Sequence, residues 1–197
     1  MPIKIIMSYK IFILLLLVFG HFVLVVAPRI TFFYFAYGSL LVTERMRLNC
    51  PSATKFDNAK LKGYNLDFGT YNECWKGSMA TVVPTNGTIV WGVVWKIHAS
   101  ELPELEKYHR KKLAYVPINV TLQLESGDHI VTRTYVQTNT THKTVPLENL
   151  PCKRRPSLSY LKTVIKGAEE ANLPEKYTNM LKTIPVREKL KDVDGVF

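Results

Sequence analysis

The sequence predicts an α+β domain built round one curved sheet or small barrel, with a few helices at its periphery. Three observations predict it. Most of the chain past residue 30 consists of β-branched and aromatic runs separated by Gly, Pro or Asn. Helix-forming stretches are few, and two of them are grouped late in the chain. Tyr115 to Leu124 and His129 to Val136 alternate on either side of Gly127-Asp128, as an antiparallel hairpin does.

The elements follow in order. Thr31 to Ala36 (TFFYFA) reads as a buried strand that enters a tight loop at Tyr37-Gly38-Ser39. Leu41, Arg45 and Leu48 then fall at helical spacing, so Leu40 to Leu48 opens a short helix. Strand, glycine loop and helix start together form a place where ligand atoms approach bare backbone and where unpaired N–H groups attract carboxylates and carbonyls. Ala59 to Phe68, Met79 to Pro84 and Thr88 to Ile97 are further strands, and Ser100 to about Lys112 is a polar helix. A Pro-punctuated linker, Pro146 to Pro156, precedes two helical segments, Ser157 to Asn172 and Pro174 to Thr183.

A length of 197 residues fits one domain and leaves room for a short extra segment. That segment is the amino terminus, residues 1–27. Lys4 and Lys10 precede a 17-residue apolar run from Ile11 to Ala27, which reads as a secretory signal peptide or, if it is not cut, as a signal anchor. Either way the domain at 31–185 is expected outside the cytosol, followed by a charged tail at 186–197. Sequons at Asn86, Asn119 and Asn139 would then be open to glycosylation. Cys50, Cys74 and Cys152 allow at most one intrachain disulfide, with three pairings possible.

Composition removes several functions. The apolar share of 47% and charged share of 21% are those of a folded protein, not a disordered one. The net charge is +10, of which the first thirty residues supply Lys4, Lys10 and Arg29, leaving 23 basic against 16 acidic residues beyond them. The basic residues are scattered, and no base-reading motif accompanies them, so nucleic acid is not expected as a partner. A membrane is expected to be met only through the N-terminal segment. The cysteines and histidines lack metal-ligand spacing, so no metal is expected.

Phe33-Tyr34-Phe35-Ala36-Tyr37-Gly38-Ser39-Leu40-Leu41 resembles the F-x-Y-G-S-N-L substrate loop of the γ-glutamylcyclotransferase family. Thr43-Glu44-Arg45, Pro51-Ser52-Ala53, Leu66-Asp67-Phe68-Gly69, Val90 to Trp95, Tyr115-Val116, and Gly167 with Asn172-Leu173-Pro174 are similar to that family's later blocks, in the same order. With the leader, the chain resembles a secreted, venom-type member. The resemblance implies a γ-glutamylcyclotransferase-like small mixed β-barrel with peripheral helices and no organic cofactor or metal. It also implies a small γ-glutamyl compound as partner; oligomeric state is left open.

The family's reaction is an intramolecular aminolysis. The γ-glutamyl α-amine attacks its own side-chain carbonyl, closes 5-oxoproline and expels the remaining amine. A base must take a proton from an ammonium whose pKa lies near 8, and N–H donors must hold the carbonyl oxygen as it gains charge. By resemblance Tyr34, Phe35, Ala36, Tyr37, Gly38 and Ser39 line the substrate, and Tyr160 touches it. The base is a Glu in a stretch shaped like L-D-x-x-E-G, and here that stretch is Leu105-Glu106-Lys107-Tyr108-His109-Arg110, with His109 at the Glu position. Leu40 stands in the place of the loop Asn.

A neutral imidazole can accept a proton at pH 7, but it brings no negative charge to offset an incoming ammonium. His109 therefore reads as a surface histidine or a poor base, and the chain as a binding or effector protein that retains a γ-glutamyl pocket with weak or absent catalysis. The other reading is an active extracellular cyclotransferase on glutathione-derived or other γ-glutamyl peptides, with His109 or a shifted Glu106 as base. A carboxylate of Glu104 or Glu106 pointing into the cleft round Gly38 would favour the second.

Overall fold

The computed structural model describes residues 30–112, 115–138 and 145–187, with the side chains of 110–112 excepted. The leader, the Asn139 sequon and the tail from 188 onward lie outside the described residues.

Five strands close into a barrel. They are β1 (Thr31–Ala36), β2 (Thr54–Asn72), β3 (Gly77–His98), β4 (Tyr115–Leu124) and β5 (His129–Gln137), in the spatial order β1-β3-β2-β4-β5. β1 pairs antiparallel with β3, from Thr31 opposite His98 to Ala36 opposite Val93. The circle is completed by a parallel contact of β1 with β5 at Tyr34 and Arg133. The expected hairpin appears as β4 and β5, paired from Tyr115 opposite Gln137 to Gln123 opposite His129. Phe35, Phe68, Leu61, Leu66, Trp95, Ile97 and Leu122 fill the centre and are almost wholly buried.

β2 and β3 form one long hairpin of 19 and 22 residues. The two strands expected at Met79 to Pro84 and Thr88 to Ile97 are one strand with an excursion. Lys62 pairs with Ile89 and Tyr64 with Pro84, so residues 85–88 loop out opposite the single residue Gly63. Gly63 (φ 76°) and Gly87 (φ 77°) lie in the left-handed region, which suits glycine because it has no Cβ. Asn86 sits exposed on this excursion, and Asn119 is exposed on β4.

Helices pack outside the barrel: α1 (Thr43–Asn49), α2 (Leu102–Lys112), α3 (Leu158–Glu170) and α4 (Glu175–Lys182). Leu40 and its neighbours, expected to open the first helix, form a separate 3₁₀ turn at Ser39–Leu41. α3 begins with Ser157, whose side chain accepts the Tyr160 N–H at 3.2 Å. It lies hard against the glycine loop, because a Cβ added at Gly167 would stand 2.4 Å from Leu41 Cβ and 2.8 Å from the Val42 nitrogen. Gly167→Ala should therefore force helix and loop apart and cost about 1–3 kcal/mol, read as a lower urea midpoint.

The stretch expected as a linker, Pro146 to Pro156, is a packed part of the fold. It makes two 3₁₀ turns, Leu147–Asn149 and Cys152–Arg154, and buries Leu147, Leu150 and Arg154. Arg154 donates to the Phe68 carbonyl at 3.0 Å and forms an ion pair with Asp67, itself 1% exposed. Burial of this charge pair ties the segment to β2, and with it the start of α3. Cys50 is buried, whereas Cys74 and Cys152 are exposed, and all three are free thiols.

Candidate active site

A cleft opens where β1 runs into the glycine loop and α2 passes over the barrel mouth. Tyr34, Tyr37, Gly38, Ser39, His109 and Tyr160 line it, which brings together six of the eight residues expected from the sequence. Phe35 and Ala36 do not line it. Both are completely buried in the core, where Phe35 packs against the position a Gly92 side chain would take.

The glycine loop is held by backbone bonds. The Leu41 N–H donates to the Gly38 carbonyl at 3.0 Å, and Trp95 Nε1 donates to the Leu40 carbonyl at 3.1 Å. Gly38 keeps the loop close to α3, since a Cβ there would lie 3.1 Å from Tyr160 Oη. Tyr160 Oη accepts the Ala80 N–H at 3.1 Å and a second backbone bond from Ser39. Leu40, in the place of the family's Asn, is buried and brings no polar side-chain atom to the cleft.

His109 is not a surface residue. It is 9% exposed and sits inside a tyrosine cage. Its ring lies flat on Tyr135, with centroids 3.9 Å apart and planes 12° from parallel, and it meets Tyr108 and Tyr115 edge-on. Nε2 lies 3.4 Å from Tyr34 Oη. Burial pushes the imidazole pKa down to about 3, and the positive charge of Arg133 adds to the effect. The ring is neutral at every ordinary pH. Burial also raises the pKa of Tyr34, Tyr37, Tyr115 and Tyr160, so these phenols are protonated donors and not bases.

Neither candidate carboxylate enters. Glu106 Oε1 forms an ion pair with Arg133 Nη2 at 2.5 Å, and Arg133 Nε donates in turn to Tyr135 Oη at 3.1 Å. Glu104 sits on the exposed face of α2, paired with Lys107 at 3.1 Å. Among the described residues, the lining of the cleft holds no carboxylate.

Sequence reasoning missed several members of the cage. Tyr108, Tyr115 and Tyr135 line the cleft, as do Met79 and Ala80. Tyr108 adjoins His109 in the sequence, and Tyr115 belonged to a recognisable block, but Tyr135 carried no signal beyond its place in an alternating strand. The cleft encloses about 420 Å³ with its mouth included. Tyr108 is half-buried, its hydroxyl 3.3 Å from Ser39 Oγ.

A closed five-stranded mixed barrel with a tyrosine-lined cleft beside a Tyr-Gly-Ser loop defines a protein of the γ-glutamylcyclotransferase fold. Residues 89–181 match the model of the AIG2-like family. The chain is 39% identical to a bovine (Bos taurus) γ-glutamylcyclotransferase over 175 residues, covering 83% of this chain and 87% of that one. To the human (Homo sapiens) γ-glutamylcyclotransferase it is 38% identical, with the same coverage. A solved structure of a γ-glutamyl cyclotransferase superposes with a TM-score of 0.71 at 38% identity, over 82% of this chain and 92% of that one. The chain belongs to the γ-glutamylcyclotransferase family.

Proposed function

We propose that this chain is an exported γ-glutamylcyclotransferase-like protein that has kept a γ-glutamyl binding pocket and has weak or absent catalysis, because His109 stands at the position of the general base. One observation carries the reading: the position of the general base holds a buried, uncharged imidazole stacked on Tyr135, and among the described residues no carboxylate lines the cleft in its place. Ring closure needs the α-ammonium to lose its proton inside the cleft. An imidazole with a pKa of about 3 is a weak acceptor, and it offers no negative charge to offset the desolvation of the ammonium.

The active-enzyme reading requires His109 itself to serve as base, or Glu106 to leave Arg133, or Glu104 to turn inward from the exposed face of its helix. Export rests on the leader, and the exposed Asn86 and Asn119 suit glycosylation in that compartment. Purified chain incubated with γ-glutamyl-alanine beside the bovine relative should release 5-oxoproline at least about a hundredfold more slowly, the loss expected when a positioned base is removed. Comparable rates would overturn the proposal.

A further inference from the structure

β4 carries the sequon Asn119-Val120-Thr121 in the middle of its length. Side chains two apart in a strand share a face, and here Asn119 and Thr121 are both exposed while Val120 between them is buried. Across the hairpin Asn119 stands opposite Arg133, and Thr121 opposite Val131. Asn119 is also part of the lining of a depression in the surface, of about 680 Å³ with its mouth included. Phe32 and Phe33 of β1, Leu102 at the start of α2 and Val131 give this depression its apolar walls. Val131 is 63% exposed, and Phe33 continues the apolar surface to Phe56, itself 48% exposed, with ring centroids 4.7 Å apart.

Clustered apolar surface of this kind on a domain that lives in water marks a place that something covers. A sugar ring is suited to it, because its C–H face lies on aromatic and aliphatic side chains while its hydroxyls turn to solvent or to polar groups at the rim. Arg133 stands at that rim. It spends Nε on Tyr135 and one Nη2 hydrogen on Glu106, and the other N–H groups of its guanidinium remain for sugar hydroxyls.

We propose that Asn119 is N-glycosylated and that the first sugars of its glycan lie in this depression as a fixed cover. The proposal rests on the reading of the chain as exported and goes beyond it in naming the site and the surface that the sugar covers. In the transfer the Asn119 side-chain nitrogen attacks the anomeric carbon of an oligosaccharide carried on a lipid diphosphate. The N–C bond forms, the C–O bond to the diphosphate breaks, the amide gives up one proton, and the lipid diphosphate leaves with the electron pair. Donor and transferase belong to the exporting compartment.

The test is expression of the full chain in secreting insect cells, followed by mass analysis of the Asn119 peptide with and without glycosidase. Most of the secreted chain should carry sugar at Asn119. A dye that fluoresces on apolar surface is then titrated into the folded glycoprotein before and after enzymatic removal of the glycan. Removal should raise dye binding severalfold, and in Val131→Ser most of that rise should disappear. Secreted chain with Asn119 bare, or glycan removal without a rise in dye binding, overturns this inference alone. Retention of the chain in the cytosol with all three sequons bare overturns the export reading, and this inference with it.

Discussion

His109→Glu should raise 5-oxoproline release from γ-glutamyl-alanine by about 10²- to 10⁴-fold over the natural chain, the range that a positioned base contributes. The substitution places a carboxylate where the histidine ring now stands, next to Tyr34 Oη and the backbone-held Gly38 loop. Apart from Leu40 in the place of the loop Asn, the residues matched to the family's site are gathered round the cleft, so on the proposed reading this one side chain carries most of the difference. A buried carboxylate in a tyrosine cage will cost stability, and Arg133, close enough to depress the imidazole, will offset part of that cost. Urea denaturation must therefore accompany the assay. A folded variant no faster than the natural chain would show that the cleft has lost more than its base. Glu106→Gln in the natural chain serves as the companion experiment: any residual turnover should survive it, and its abolition would place the base at Glu106.

Acid should unfold the natural chain with a component traceable to a single residue. The imidazole titrates near 6.5 in the unfolded chain and at about 3 in the fold. Between those values the unfolded chain binds a proton that the native one refuses. Stability is thus complete above about pH 6.5 and falls as the pH falls toward 3, by about 1.4 kcal/mol per unit and about 4–5 kcal/mol across the window. At pH 4.5 the difference is about 2–3 kcal/mol. His109→Phe retains a flat ring for Tyr135 and removes the titration. Urea midpoints at pH 7 and 4.5 should converge for this variant relative to the natural chain, once the acid loss common to both is subtracted. Parallel behaviour of the two proteins would mean that the histidine is protonated in the fold.

Much of the architecture was legible because it is written locally. Period-two alternation on either side of Gly127-Asp128 gave the β4–β5 hairpin, and the aromatic run ending at Tyr37-Gly38-Ser39 gave β1 and its loop. The continuity of β3 was not legible, because Pro84, Asn86 and Gly87 are turn residues wherever they occur and only pairing with β2 decides that the strand resumes beyond them. The same holds for the segment 146–156. Its prolines suggested a tether, but the buried Asp67–Arg154 pair that fixes it depends on a partner far away in the sequence.

The site divides in the same way. Tyr34, Tyr37, Gly38, Ser39 and Tyr160 were found through blocks of sequence, whereas Phe35 and Ala36 share the block but turn into the core. The replacement at His109 was visible; its environment was not. Beside four basic residues on a polar helix a histidine reads as exposed, and only the closure of the barrel brings Tyr135 beneath it. The fate of Glu106 likewise depended on Arg133, which alternation alone could not place against α2.

The interior position of Cys50 limits the redox chemistry open to this chain. Its thiol packs beneath the backbone of Glu101, and burial pushes its pKa up to about 12, so it supplies almost no thiolate to an oxidant. The thiols that solvent reaches are those of Cys74 and Cys152, so any reaction with an external oxidant or thiol falls to them.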